Sequence, residues 1–165
     1  MLAYLQGLSL GLAYVAPIGV QNLFVINAGL SQPRAAAYRT ALIVIFFDVT
    51  LALAGFFGIG ALIEHSELIR KGVLLAGSLV VMYMGLRLML SREVAGPAIN
   101  VNIPLMKTIG MACVVTWFNP QAIIDVSLLL GSFRVALPPE ESGLFLWGVV
   151  CASCLWFLSL TTISS

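Results

Sequence analysis

The sequence predicts an all-α fold, a polytopic membrane helix bundle with about five transmembrane helices. Three observations favour this class. Of the 165 residues, 61% are hydrophobic and 9% are charged, whereas soluble domains carry about 25% charged residues. The mean hydropathy is +1.06. The charged residues also cluster, and residues 1–32 and 142–165 contain none of them.

Five apolar segments are long enough to cross a bilayer as a helix, which takes about 20 residues. They are Leu2–Leu30, Ala41–Ile63, Gly72–Leu90, Thr108–Phe133 and Gly143–Ile163. Because the backbone has no water to bond with inside lipid, each segment is expected to be helical. Residues 1–165 are therefore expected to form a single transmembrane domain that is in contact with the lipid bilayer.

A weak internal repeat relates two of these segments. The stretch VAPIGVQNLFVINAGL (15–30) aligns with FNPQAIIDVSLLLGSF (118–133) at an offset of 103 residues. Both copies interrupt an apolar segment with proline and amide side chains and then resume it. The same offset carries the start of the second predicted span onto the start of the fifth.

The repeat unit would contain three spans, so its second copy would enter the membrane inverted, as in many transporters. Residues 1–90 would form the first repeat and residues 108–165 an incomplete second one. The bundle is thus expected to hold 3+2 helices of a 3+3 inverted repeat, with the sixth helix missing. If that gap left a cavity open to lipid, a second copy of the chain could cover it in a homodimer.

The two interruptions centre on Pro17 and Pro120. A proline within a helix removes a hydrogen bond and clashes with a carbonyl one turn back, and in lipid the freed carbonyl needs another donor. The amides beside the breaks that can supply one are Gln21, Asn22, Asn119 and Gln121. One such kink is explained by local repair alone, but two at equivalent positions of a repeat are typical of a transporter binding site. Gly19 would allow close backbone approach there.

Two acidic residues, Asp48 and Asp125, lie inside predicted spans. A carboxylate near the bilayer centre costs roughly 2.5–3.5 kcal/mol on insertion scales. One interpretation is a buried aspartate that is neutral or hydrogen-bonded to a neighbouring helix. The other is a polar cavity, and two acids with no equally deep lysine or arginine would suit a cation or a proton.

The sequence gives no sign of a cofactor, a metal site or nucleic-acid binding. The net charge is +1, and no basic run is present. Cys113, Cys151 and Cys154 lie in apolar segments, where small packing residues are common, and the single histidine, His65, has no further ligands to complete a zinc site. Two groups of glycines are expected to permit close helix packing: Gly7 and Gly11, and Gly55, Gly58 and Gly60. The deeper Trp156 could face a cationic ligand, but packing against lipid or a helix is the favoured interpretation.

Four stretches resemble the bacterial lysine/arginine exporter family, the LysE family. They are LQGLSLGLAYVAPIGVQNLFVINAGL, the acid of FFDV, VVTWFNPQAIIDVSLLLGSF and SCLWF. Their order and spacing match over essentially the whole chain. The resemblance implies an exporter of basic amino acids, arginine or lysine, in the bacterial inner membrane. It also implies an ion gradient as the driving force, for which we expect a proton to be the coupling ion.

The resemblance also assigns residues to the site, motif by motif. The residues assigned in this way are Pro17, Gly19, Gln21, Asn22, Asp48, Asn119, Pro120 and Asp125. Family members often carry proline after the glycine, where this chain has Val20, and they usually continue with one more span.

Two other functions are open at this stage. A truncated remnant of the same family that does not transport would need only the five helices. An intramembrane aspartic protease would need two carboxylates close enough to share a proton. Asp48 and Asp125 lie in no shared local motif, so we expect no enzymatic activity.

Overall fold

The structure is a computed structural model that describes residues 1–58 and 103–165 and, singly, residues 71, 75 and 82. In this part of the chain every regular element is a helix, which confirms the predicted all-α class. The helices are α1 (Leu2–Val15), α2 (Val20–Ser31), α3 (Arg34–Phe56), α4 (Leu105–Trp117), α5 (Pro120–Ala136) and α6 (Ser142–Ser164). The third predicted span and His65 fall outside the described residues, apart from positions 75 and 82 of that span.

Two helices, α3 and α6, are each long and apolar enough to cross a membrane alone. The other four form two bent pairs. The helix axes of α1 and α2 turn by 79° at their break, and those of α4 and the first part of α5 turn by 56°. If each bent pair is one span, the described residues contain up to four spans, at the places of the first, second, fourth and fifth predicted segments.

The bounds of α3 differ from the predicted span Ala41–Ile63. The helix begins at Arg34, because the alanine-rich turn before Ala41 is a good helix former although its arginines lower the hydropathy. It ends at Phe56, and Gly58 follows with a φ of 94°. This is the left-handed conformation that commonly closes a helix and that glycine adopts without strain.

The unbroken helices α3 and α6 pack against each other, and the broken pairs pack around them. Helix α1 lies along α6, whereas α4 and α5 lie along α3; α2 contacts both long helices. Aromatic side chains fill the core at one end. The ring of Phe145 stacks on Phe56 and on Phe133, with centroid distances of 5.7 and 5.3 Å.

Glycines bring α1 and α6 into backbone contact. A side chain at Gly7 would collide with the backbone of Phe145, and one at Gly148 would collide with the backbone of Tyr4. Gly55 allows α5 to approach α3, because a side chain there would collide with the side chain of Val126. The predicted packing role is therefore confirmed for Gly7, Gly11 and Gly55. These contacts fix the long helices against the two broken ones and so set the positions of the breaks. The prediction is wrong for Gly58, which has no atom within 4 Å of its missing side chain and instead closes α3 in a left-handed conformation. Gly60 lies outside the described residues.

Candidate functional site

The first break lies between Val15, where α1 ends, and Val20, where α2 begins. The side chain of Asn22 repairs it. Its Nδ2 donates to the carbonyl oxygens of Val15 and Pro17, at 3.1 and 2.7 Å. Its Oδ1 accepts a hydrogen bond of 3.1 Å from Nε1 of Trp156 on α6. The predicted repair of freed carbonyls by an amide is confirmed here, and the packing role of Trp156 includes a polar contact.

The second break lies between Trp117, where α4 ends, and Pro120, where α5 begins. Pro120 thus starts a helix and does not interrupt one. This position suits proline, because the first N–H groups of a helix have no partner within the helix. Asn119 caps α5, and its Oδ1 accepts a hydrogen bond of 3.2 Å from the backbone N–H of Gln121.

A cavity of about 310 Å³ lies between the two breaks. Its size is at the lower end of the range for small-molecule sites, which is about 300–1,000 Å³. The breaks face each other there, since a methyl group added to Gly19 would lie 4.0 Å from Nδ2 of Asn119. The predicted site residues that line the cavity are Pro17, Gly19, Gln21, Asn22, Asn119, Gln121 and Asp125.

Asp125 supplies the acidic group of this cavity. Its side chain is half-buried on α5, one helical turn beyond Gln121. Nε2 of Gln121 donates to its Oδ1 at 2.8 Å. Its second oxygen accepts no hydrogen bond from the described residues. The carboxylate is therefore held in place at one oxygen and is open to a ligand at the other.

Asp48 does not line the cavity, which corrects the expectation that both acids face the same space. It is 1% exposed and lies behind the cavity wall. Its Oδ2 accepts hydrogen bonds from the hydroxyls of Tyr14 and Ser153, at 2.7 and 2.6 Å, and its Oδ1 accepts one of 3.3 Å from Nε2 of Gln21. Tyr14 and Gln21 themselves line the cavity. Asp48 is thus separated from it by a single layer of side chains.

Tyr14 and Ser153 were not identified from the sequence as part of this group. The repeat predicted from the sequence contains a signal for both. The offset of 103 residues pairs Tyr14 with Trp117 and Thr50 with Ser153. The structure also joins Trp117 to Thr50, by a hydrogen bond of 3.2 Å from Nε1 to Oγ1.

The described residues contain no cluster of three or more His, Cys, Asp or Glu side chains that could hold a metal ion. Cys113, Cys151 and Cys154 are free thiols of intermediate burial. The polar groups at the cavity are amides, a phenol and a carboxylate, which can bind an organic ion through hydrogen bonds and charge.

Comparison with known proteins identifies the family. The profile of the LysE type translocators matches residues 12–165. This chain belongs to the LysE type translocator family. The LysE resemblance predicted from the motifs is therefore confirmed, and the chain is an all-helical, multi-pass membrane protein. Both helix breaks and both aspartates lie within the matched range.

Several similar proteins in this family have curated names. The arginine exporter protein ArgO of Serratia proteamaculans (strain 568) is 32% identical over 166 residues, which cover 98% of this chain and 80% of that protein. The arginine exporter protein ArgO of Escherichia coli (strain K12) is 32% identical over 172 residues, which cover 98% and 78%. No solved structure is significantly similar to this chain.

Proposed function

We propose that this protein exports arginine, and by the same chemistry lysine, across the bacterial inner membrane, and that it binds the substrate in the cavity between the two helix breaks. The observation that carries the proposal is a carboxylate with an open oxygen, Asp125, in a cavity where two broken helices meet. Discontinuous helices at such a position form the substrate site in many secondary transporters. Similar chains bear the name arginine exporter protein.

Asp125 is the residue that we assign to the cationic end of the substrate. A guanidinium group binds a carboxylate through charge-assisted hydrogen bonds, which are roughly twice as strong as neutral ones. Gln121 already orients one oxygen of Asp125. An ammonium group also carries donors for this carboxylate, although it lacks the planar fork of arginine. Arginine is therefore the preferred substrate, and lysine is the weaker one.

We assign Asp48 to the coupling of export to a proton gradient. In the described part of the chain its hydrogen-bond donors are all neutral: Tyr14, Gln21 and Ser153. A buried carboxylate in a membrane protein is costly and is commonly a site of proton binding. Two of its donors line the cavity, so a change at the cavity reaches Asp48 through direct contacts.

The contacts between the two halves support an inverted repeat. In the first half Tyr14 bonds to Asp48, which also bonds to Ser153 of the second half. In the second half Trp117, the counterpart of Tyr14, bonds to Thr50, the counterpart of Ser153. Trp117 on the broken helix of the second half thus bonds to the long helix of the first half, whereas Tyr14 and Ser153 share Asp48 as their acceptor. Contacts that cross between the halves are what a pseudo-two-fold axis would produce, and rocking about such an axis is a known route to alternating access.

The test is arginine efflux from bacteria that lack their own arginine exporter. The chain should lower internal arginine and confer resistance to the toxic arginine analogue canavanine. Asp125→Asn should lower efflux by at least about tenfold, because the amide keeps the size of the side chain and removes the charge that attracts the substrate. Membrane fractions probed by immunoblot should contain equal amounts of both proteins.

The matched control is Glu140→Gln, which makes the same chemical change at an exposed residue between α5 and α6. It should leave efflux unchanged. Normal efflux by Asp125→Asn would refute the assigned role of this carboxylate. Absence of any arginine efflux by the parent chain in correctly inserted protein would refute the proposed function.

A further inference from the structure

We propose that the cavity binds its amino-acid substrate in one orientation, with the α-carboxylate of the substrate at the N-terminus of α2 and Nδ2 of Asn119, and the side-chain cation at Asp125. This inference rests on the proposed function and adds to it a second recognition element. The protein would then select for a free amino-acid carboxylate as well as for a cationic side chain.

The N-terminus of α2 has no cap. Its N-cap residue is Gly19, which has no side chain, and no other side chain caps this end. The first N–H groups of a helix have no partner within the helix. They carry a partial positive charge and bind carboxylates and phosphates readily. Gly19, Val20 and Gln21 all line the cavity, so these donors lie at its wall.

At the second break the first two positions of the helix offer no such donor. Pro120 has no N–H group, and the N–H of Gln121 is already bonded to Oδ1 of Asn119. This bond also fixes the orientation of the Asn119 amide, because its oxygen must face the N–H of Gln121. The amide nitrogen, Nδ2, is then directed away from the N–H group of Gln121.

Asn119 is the independent observation that points to a ligand. It is 9% exposed, yet its Nδ2 makes no hydrogen bond within the described part of the chain. Nδ2 is therefore a donor that is accessible from the cavity and is available to a ligand. The residue lines the cavity, and Nδ2 is the atom that would lie closest to a side chain at Gly19. Nδ2 of Asn119 and the uncapped N-terminus of α2 therefore lie at the same part of the cavity. An anionic group there would accept hydrogen bonds from both.

Asp125 provides the opposite pole. It lies five residues beyond Pro120, which corresponds to about 7.5 Å along the axis of α5. That separation is similar to the length of an extended arginine side chain. The cavity thus has hydrogen-bond donors at the break and an acidic acceptor further along α5, as the two charged ends of a basic amino acid require. A cationic amine that lacks the carboxylate would leave the donor end unfilled.

The experiment uses the full chain, purified and placed in liposomes, and measures exchange of labelled arginine. Unlabelled arginine and agmatine, which is arginine without its carboxylate, are compared as inhibitors. Agmatine should inhibit about ten- to a hundredfold more weakly, the loss expected when a charged group and its hydrogen bonds are removed. Equal inhibition by both would overturn this inference and leave the proposed function intact. Absence of arginine exchange would overturn both.

A pair of variants tests the donor end directly. Asn119→Ser keeps an oxygen that can cap α5 and removes the NH2 group that would donate to the substrate. It should reduce the preference for arginine over agmatine by about tenfold through weaker arginine binding, with agmatine inhibition little changed. Asn27→Ser makes the same change at an exposed position on α2 and should leave the preference unaltered. An unchanged preference in Asn119→Ser would refute the role of Asn119.

Discussion

The indole nitrogen of Trp156 lies 3.1 Å from Oδ1 of Asn22, and through this bond α6 orients the amide that repairs the first break. The two donors of that amide are spent on the carbonyls of Val15 and Pro17. All the hydrogen-bonding capacity that Asn22 uses in the described structure is thus directed at holding α1, α2 and α6 together. The break is therefore held by hydrogen bonds from a side chain that α6 orients.

The hydrogen bonds that Asn22 makes at the first break should contribute to the free energy of unfolding. Asn22→Leu should destabilise the protein by about 1–3 kcal/mol, because buried polar groups lose their partners. Trp156→Phe should cost about 1 kcal/mol. Thermal unfolding in detergent measures both. Since the Trp156 bond runs through Asn22, the double variant should unfold at nearly the same temperature as Asn22→Leu. Fully additive losses would show that the bond does not contribute.

Replacement of Asp48 should abolish export driven by a proton gradient but leave arginine exchange intact. In Asp48→Asn the hydroxyls of Tyr14 and Ser153 can accept hydrogen bonds from the NH2 group of the new amide, so the protein should still fold. The amide cannot take up or release a proton. We expect arginine exchange in liposomes to continue, while export driven by a pH gradient falls at least about tenfold. Asp125→Asn should lose both activities. Gradient-driven transport by Asp48→Asn would contradict the coupling role.

Alanine substitutions at Gly148 and Gly110 should change stability in opposite directions, because only Gly148 lies in the close contact of α1 with α6. A methyl group at Gly148 would collide with the backbone of Tyr4, so Gly148→Ala should destabilise the protein by about 1–3 kcal/mol. Gly110 lies within α4 and has nothing near its missing side chain, so Gly110→Ala should stabilise it by about 0.5–1 kcal/mol. Thermal unfolding of the two variants in one detergent measures the contrast. Equal shifts would argue against the packing described here.

Gly19 should tolerate added volume as regards folding but not transport. Its φ of −118° is open to any residue, and a methyl group there would lie in ordinary space, 4.0 Å from Asn119. Gly19→Ala and Gly19→Leu should therefore unfold at nearly the same temperature as the parent. Arginine efflux should fall in steps, because each side chain takes more of the cavity. Unfolding at a much lower temperature, with efflux per folded molecule unchanged, would contradict this.

Much of the architecture could be predicted from the sequence, because the membrane restricts what a chain can do. Apolar segments of the required length must be helical in lipid, and proline followed by amides marks a repaired break. The positions of both breaks and the amide role of Asn22 followed from these two constraints. The burial of Asp48 followed from its place in an apolar span. The inverted repeat remains a prediction, and so does the homodimer.

Contacts between distant residues could not be predicted in the same way. Tyr14 and Ser153 meet at Asp48 across 34 and 105 positions of the chain. Tyrosine and serine are common enough in apolar helices to give no signal alone. The position of Asp48 behind the cavity wall depends on the rotation of α3 about its axis. Hydropathy carries little information on that rotation when all sides of a helix are apolar.

One side chain belongs to both of the sites described above. Nε2 of Gln21 holds Asp48, while the same residue forms part of the cavity wall. A ligand that draws this amide toward itself removes a donor from the buried carboxylate. By thermodynamic reciprocity, the degree to which occupancy alters proton uptake equals the degree to which proton uptake alters occupancy. The pH dependence of ligand affinity and the number of protons released on ligand binding would then give the same coupling between the two sites. Gln21 would be the physical origin of that coupling.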